Sequence, residues 1–139
     1  MITTTQQKNK IVAQLEKLKV RLDTPAKAGV PSHIARVTKV QIQESISDLE
    51  AELDAYEKAC RSDLNDLTFN TYAEMLRMPI TVRLASRLSV ARFATIVGVS
   101  ESQIKRYEAN EYRHAPADVI DSILKAFNMS LNGHASRCA

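Results

Sequence analysis

Residues Ser89 to Asn110 read S-V-A-R-F-A-T-I-V-G-V-S-E-S-Q-I-K-R-Y-E-A-N, and this stretch decides the fold. Ser89 and Ser100 stand where a hydroxyl can accept from the first free N–H groups of a helix. Gln103, three residues after Ser100, completes a capping box. Gly98 lies between the two, where the chain must turn sharply with little room for a side chain. Phe93, Ala94 and Val97 form one apolar stripe before the turn, and Val99, Ile104 and Tyr107 form another after it. Two short helices that pack on each other follow from this pattern. The second keeps a polar face of Glu101, Ser102, Gln103, Lys105 and Arg106 turned outward.

Working outward, the same pattern continues through Pro116, Ile120, Ile123 and Ala126-Phe127. Together with Ser89, Phe93-Ala94, Val97-Gly98-Val99-Ser100, Ile104 and Tyr107-Glu108, it resembles the Xre/Cro-type helix-turn-helix family, which includes phage repressors and antitoxins. The resemblance covers the last two fifths of the chain. It implies a bundle of about five helices with the helix at 101–109 in the major groove of double-stranded DNA. The likeness extends to small Xre-type bacterial regulators with an N-terminal helical hairpin. Those often open M-I-T-N and carry Q-I-x-R-Y-E-A followed by Y-R-S-A. Here M-I-T-T stands at Met1–Thr4, and Q-I-K-R-Y-E-A-N-E-Y-R-H-A runs from Gln103 to Ala115.

The resemblance assigns roles residue by residue. Glu101, Ser102 and Arg106 fall at base-contacting positions, Arg106 being placed for a guanine edge and Glu101 for a cytosine amino group. Glu101 reads equally well as a first-turn acid that meets the helix dipole. Arg92, Ser100, Gln103 and Lys105 flank that face and are expected at phosphates, as are Tyr112 and Arg113 in the following loop. Two positions depart from the family's usage. Val90 replaces a frequent glutamine, so one anchoring contact is missing or passes to Arg92. Asn110 replaces a frequent glycine, which asparagine tolerates because it visits the left-handed region. Tyr107 and Glu108 read as structural, with Tyr107 in the core and Glu108 paired with an arginine such as Arg83 or Arg87.

The charge agrees with this placement. Of the 139 residues, 19 are Lys or Arg and 16 are Asp or Glu. Residues 1–78 balance at eleven each, so the excess of +3 lies wholly in residues 79–139. Arg83, Arg87, Arg92, Lys105, Arg106 and Arg113 supply most of it, as attraction to a phosphate backbone requires.

The N-terminal part has a different period. Ile11, Leu15, Leu18 and Leu22 alternate spacings of four and three, and so do Ile42, Ile46, Leu49, Leu53, Tyr56 and Cys60. Helices over roughly 7–23 and 36–61 follow, and T-P-A-K-A-G-V-P between them reads as the turn of an antiparallel, coiled-coil-like hairpin. The first helix is mainly basic and the second mainly acidic, so the hairpin sets opposite charges side by side. Such a hairpin is marginal alone and needs another surface. Because the second helix is the longer, a homodimer is expected, with Ile42, Ile46, Leu49, Leu53 and Tyr56 at the interface.

The expected organisation is all-α. A hairpin occupies 1–61, a connector 62–70, a helix-turn-helix domain 71–129 and a flexible tail 130–139. In the connector, Leu64, Leu67 and Phe69 are expected to dock in part. Thr71 and Glu74 form a further capping box, and Pro79 starts a helix whose Ile80, Leu84 and Leu88 face the core. No apolar run approaches a membrane span and the N-terminus lacks a signal-peptide core, so a cytoplasmic protein is expected, without membrane partners. Cys60 and Cys138 are too few for a zinc site or a disulfide framework. His33, His114 and His134 lie apart in loops and tail, and no glycine-rich phosphate loop is present, so no enzyme, metal or cofactor is expected. The sequence predicts a dimeric repressor on a palindrome. The alternative is an antitoxin that neutralises a toxin protein and regulates its own operon.

Overall fold

The computed structural model describes residues 1–139. It contains seven α-helices in two units, Met1–Arg61 and Ser62–Ala139. The chain is all-α, as the periodicities require.

The first unit is a helical hairpin of α1 (Thr5–Asp23) and α2 (Ser32–Cys60). Helix α1 starts two residues before the expected boundary because Thr4 caps it. The Thr4 hydroxyl accepts from the Gln7 N–H at 3.1 Å, and Gln7 Oε1 accepts in return from the Thr4 N–H at 3.2 Å. The run of threonines hides this capping box from a reading based on apolar period. Helix α2 likewise begins four residues early, immediately after Pro31, whose carbonyl accepts from the Ala35 N–H at 3.1 Å. The connecting loop turns at Gly29, with φ of 88°.

Leu15 and Ile42 are buried on the hairpin's two apolar stripes. Ile11, Leu18, Leu22, Ile46, Leu49, Leu53 and Tyr56 on the same stripes are half-buried. Residues expected at a dimer face thus lie first along the seam with α1 of their own chain. The charge pattern fixes its register, with Lys8 3.7 Å from Glu57 and Lys19 3.0 Å from Glu50. Both pairs are half-exposed, so each adds no more than about 1 kcal/mol and serves alignment more than stability. Lys8 Nζ also lies 6.0 Å from the centre of the Tyr56 ring, a cation–π distance.

The second unit holds five helices: α3 (Tyr72–Leu76), α4 (Met78–Ala85), α5 (Val90–Val97), α6 (Glu101–Ala109) and α7 (Ala117–Ala126). Thr71 caps α3 by accepting from the Glu74 N–H at 3.1 Å. The Glu74 carboxylate reaches one residue further back than a capping box requires, to the Asn70 N–H at 2.7 Å. Pro79 sits in the first turn of α4, where its missing N–H costs no helical hydrogen bond. Ile80, Val82, Phe93, Ile104, Tyr112 and Ile123 are fully buried at the centre, and Phe93 stacks on Phe127 with ring centres 5.5 Å apart. Leu88, Leu64, Leu67 and Phe69 are half-buried. Residues 130–139 form no helix and are exposed, and no helix of the chain is long and apolar enough to cross a membrane.

One polar contact lies inside this core. Arg83 Nε donates to Glu108 Oε1 at 2.6 Å, and both side chains are about 95 % removed from solvent, with 5 % and 4 % exposure. Arg83 Nη1 also donates to the Leu88 carbonyl at 3.0 Å. Of the two arginines expected as partners of Glu108, Arg83 makes the pair, while Arg87 is exposed in a left-handed turn with φ of 55°. Removing either partner strands a buried charge. Glu108→Ala is therefore expected to cost about 3–5 kcal/mol in denaturant unfolding, whereas Arg83→Met combined with Glu108→Leu should recover most of that loss.

Candidate nucleic-acid interface

Helices α5 and α6 and the turn between them build the outward polar face. At the start of α5 the Ser89 hydroxyl accepts from the Arg92 N–H at 3.2 Å. At its end Gly98 takes φ of 82°, and the Gly98 and Val99 N–H groups donate to the Ala94 carbonyl at 2.9 and 3.1 Å. Glycine takes this left-handed conformation without the strain a side chain would add, and that backbone angle, not lack of room, favours it: nothing lies within 4 Å of where a Cβ would sit. Two residues later Ser100 restarts the chain as a helix. Its hydroxyl accepts from the Gln103 N–H at 3.3 Å, and Gln103 Oε1 accepts from the Ser100 N–H at 3.3 Å.

Helix α6 has two distinct sides. Ile104 and Glu108 point inward and are buried, with Tyr107 half-buried beside them. Ser102, Lys105, Arg106 and Ala109 are exposed, as is Glu101 at the first turn. Positions 102, 106 and 109 recur at helical spacing, so they share one face. Arg106 therefore stands on the exposed side one turn from Ser102. Ala109, which carries no motif of its own, adds a small side chain to this face that permits close approach.

The other expected contact residues divide by what they already hold. Glu101 accepts from Lys105 Nζ at 2.8 Å across one turn, so the acid on this face carries its own counter-charge. The Ser100 hydroxyl lies 3.3 Å from that of Ser102 and 2.9 Å from Gln103 Oε1. The oxygen of Gln103 is thus used within the cap. Arg92 is exposed on α5. Arg113 is exposed in the loop after α6, where Nη2 donates to Glu111 Oε2 at 3.2 Å. Glu111, a residue without a sequence signal, also lies 3.9 Å from Arg77.

Tyr112 is corrected by the structure. Expected at a phosphate, it is only 1 % exposed, and its ring centre lies 5.8 Å from that of Tyr107. The cause is the backbone: Glu111 and Tyr112 take φ of 53° and 60°, and the Tyr112 N–H donates to the Tyr107 carbonyl at 2.7 Å. These two consecutive left-handed residues turn the ring into the core. Asn110 does not supply the left-handed step expected of it. Its φ is −97°, and its side-chain amide closes α6 by donating to the Arg106 carbonyl at 3.1 Å.

Electrostatics around Tyr112 follow from burial. Its hydroxyl has no hydrogen-bond partner. Burial first, and then the Glu108 charge, hold its pKa far above the ordinary tyrosine value. Burial also pushes the Glu108 carboxyl up, against the hydrogen bond and charge of Arg83. An orphaned buried hydroxyl is a liability that a phenylalanine would remove. Tyr112→Phe is expected to leave stability unchanged or raise it by up to about 1 kcal/mol in thermal unfolding, and to leave DNA affinity unchanged. A residue on a phosphate would show the opposite, with binding weakened and stability unaltered.

The comparisons with known proteins agree with this geometry. A family model described as helix-turn-helix matches residues 81–133, from within α4 through α7 and into the tail. No curated protein and no solved structure matches the chain. The segment around α5 and α6 is accordingly a DNA-binding helix-turn-helix domain of the Xre/Cro type.

Proposed function

We propose that this DNA-binding regulator represses transcription as a dimer on a palindromic operator, with α6 of each copy in the major groove. Half-sites about one helical turn, roughly 34 Å, apart suit such a pair. The observation that carries this reading is the two-sidedness of α6. Its buried edge is fixed by Ile104 and by the Arg83–Glu108 pair, and its exposed face presents Ser102, Lys105 and Arg106.

Arg106 is assigned to a guanine edge, Ser102 to a neighbouring base, and Glu101 to a cytosine amino group. Lys105, Arg92 and Arg113 are assigned to phosphates, with donors of Ser100 and Gln103 at the same backbone. Tyr112 has no part in contact. The Glu101–Lys105 pair supports this division, since it neutralises the acid that would otherwise repel the phosphates. The excess of basic residues in residues 79–139 supports it as well.

Dimerisation gives one small reading head the affinity of two. The hairpin is assigned that role. Ile42, Ile46, Leu49, Leu53 and Tyr56 already lie along the seam with α1, so pairing through the hairpin draws on what α1 leaves uncovered.

Two substitutions on the exposed face separate reading from attraction. Arg106→Ala should cost about 1–3 kcal/mol on the cognate duplex and little on a scrambled one. Lys105→Ala should weaken both alike and lower the salt slope by about one. Titration of the two duplexes at two salt concentrations reads both effects. Equal small losses on both duplexes from both variants would overturn the assignment of α6 as the reading helix.

A further inference from the structure

The hairpin leaves one part of α2 without a neighbour from α1. Helix α2 has 29 residues against 19 in α1. The register set by Lys8–Glu57 and Lys19–Glu50 brings the end of α1 level with the region of Ile46. The turns of α2 from Ser32 to about Gln41 therefore run beyond α1, an overhang of roughly 15 Å at helical rise.

That overhang is apolar on its surface. On it Ile34, Val37 and Val40 are 48 %, 55 % and 50 % exposed, and Val30 in the loop just before it is 41 % exposed. They make up four of the nine large apolar side chains exposed anywhere in the chain, within eleven residues. Ile34, Val37 and Val40 recur every third residue, which places them on one side of the helix. They also lie off the line of Ile42, Ile46, Leu49, Leu53 and Tyr56, so they do not continue the seam with α1. A concentrated apolar stripe of this kind marks an interaction surface.

Charge identifies the occupant. Residues 24–43 contain Lys27, Arg36 and Lys39 and no acid, whereas residues 44–57 contain six acids and no lysine or arginine. The helix is thus basic and apolar at one end and acidic along the next four turns. We infer that the overhang of α2 docks on the same overhang of a second copy, the two helices crossing antiparallel near Val37 and Val40. That crossing sets apolar side chains on apolar side chains and brings Arg36 of each copy within one turn of Glu44 of the other, where the acidic turns begin. A parallel pairing would set Arg36 on Arg36. The contact is isologous: the same patch serves both chains and closes at two copies. It rests on the proposed function only in taking two copies as the working unit, and it is a property of the free protein.

The test therefore uses the full chain without DNA, with molar mass followed by sedimentation equilibrium over a dilution series and helix content by circular dichroism. The native protein is expected to pass from dimer to monomer on dilution, because one short stripe falls below the ~800 Å² per partner of a standard interface. Val37→Asp should raise the dissociation constant at least about tenfold, as loss of a central anchor does, with helix content retained because Val37 faces solvent. A second variant is independent of the apolar contact. Arg36→Glu should also weaken the dimer, and adding Glu44→Lys to that chain should restore it. A native chain that is monomeric throughout overturns the inference and leaves the stripe to a different protein. So does a dimer indifferent to Val37→Asp and to the charge reversal, which would place the contact on the half-open seam. Neither outcome touches the DNA titrations of Arg106 and Lys105, so failure of the dimer surface and failure of the DNA reading remain distinguishable.

Discussion

The second unit depends on the ion pair between Arg83 and Glu108. It joins α4 to α6 through a 2.6 Å hydrogen bond in a core otherwise filled by aliphatic and aromatic side chains. A buried pair is weak evidence of stability, since desolvation opposes attraction. Its value here lies in direction. An apolar contact tolerates small rotations of one helix on another, whereas a guanidinium donating at once to a carboxylate and to the Leu88 carbonyl accepts few. With Glu108 held inward, the positions a third of a turn or more away, Ser102 and Arg106 among them, are held outward.

The ends of α6 reinforce that orientation. Ser100 and Gln103 close the first turn from both directions, and the Asn110 side chain closes the last. Beyond it, the left-handed pair Glu111–Tyr112 returns the chain into the core beside Tyr107. Helix α6 has only nine residues, a length at which an isolated helix is unstable in water. Its caps and buried side therefore carry it, and the outward residues are free of structural duty. The internal pairing of Glu101 with Lys105 gives the exposed face a locally balanced charge, leaving Arg106 as its unbalanced cation.

The legible parts of the fold were those encoded by residue identity at fixed spacing. Gly98, the caps at Ser89 and Ser100, and the alternation of Phe93, Ala94, Ile104 and Ile123 each have a local cause, and the structure carries each of them. The hairpin periods were legible for the same reason. What escaped depended on backbone angles or on choices between equivalent partners. The inward turn of Tyr112 follows from two positive φ values at Glu and Tyr, residues with no special preference for them. Arg83 and Arg87 lie one turn apart, and only the three-dimensional path of α4 selects between them. Ile34 lies off the seam of α2, so the apolar period gave no reason to start that helix at Ser32.

The two units reach stability by different routes. The helix-turn-helix unit encloses a centre in which six or more large side chains are fully withdrawn from water. On the hairpin's two stripes only Leu15 and Ile42 fall in the buried class, and the remaining seam residues stay half-covered. Two surface ion pairs add alignment and little free energy, so the seam must carry most of the cost of ordering some fifty helical residues. Two packed helices have no second layer to cover the far side of each stripe. A hairpin of this kind gains most from any contact that removes further apolar surface from water, and the segment where most such surface remains is the basic, uncovered start of α2. The same sequence feature that leaves the hairpin marginal, a second helix longer than the first, thus also supplies the surface through which it can be completed.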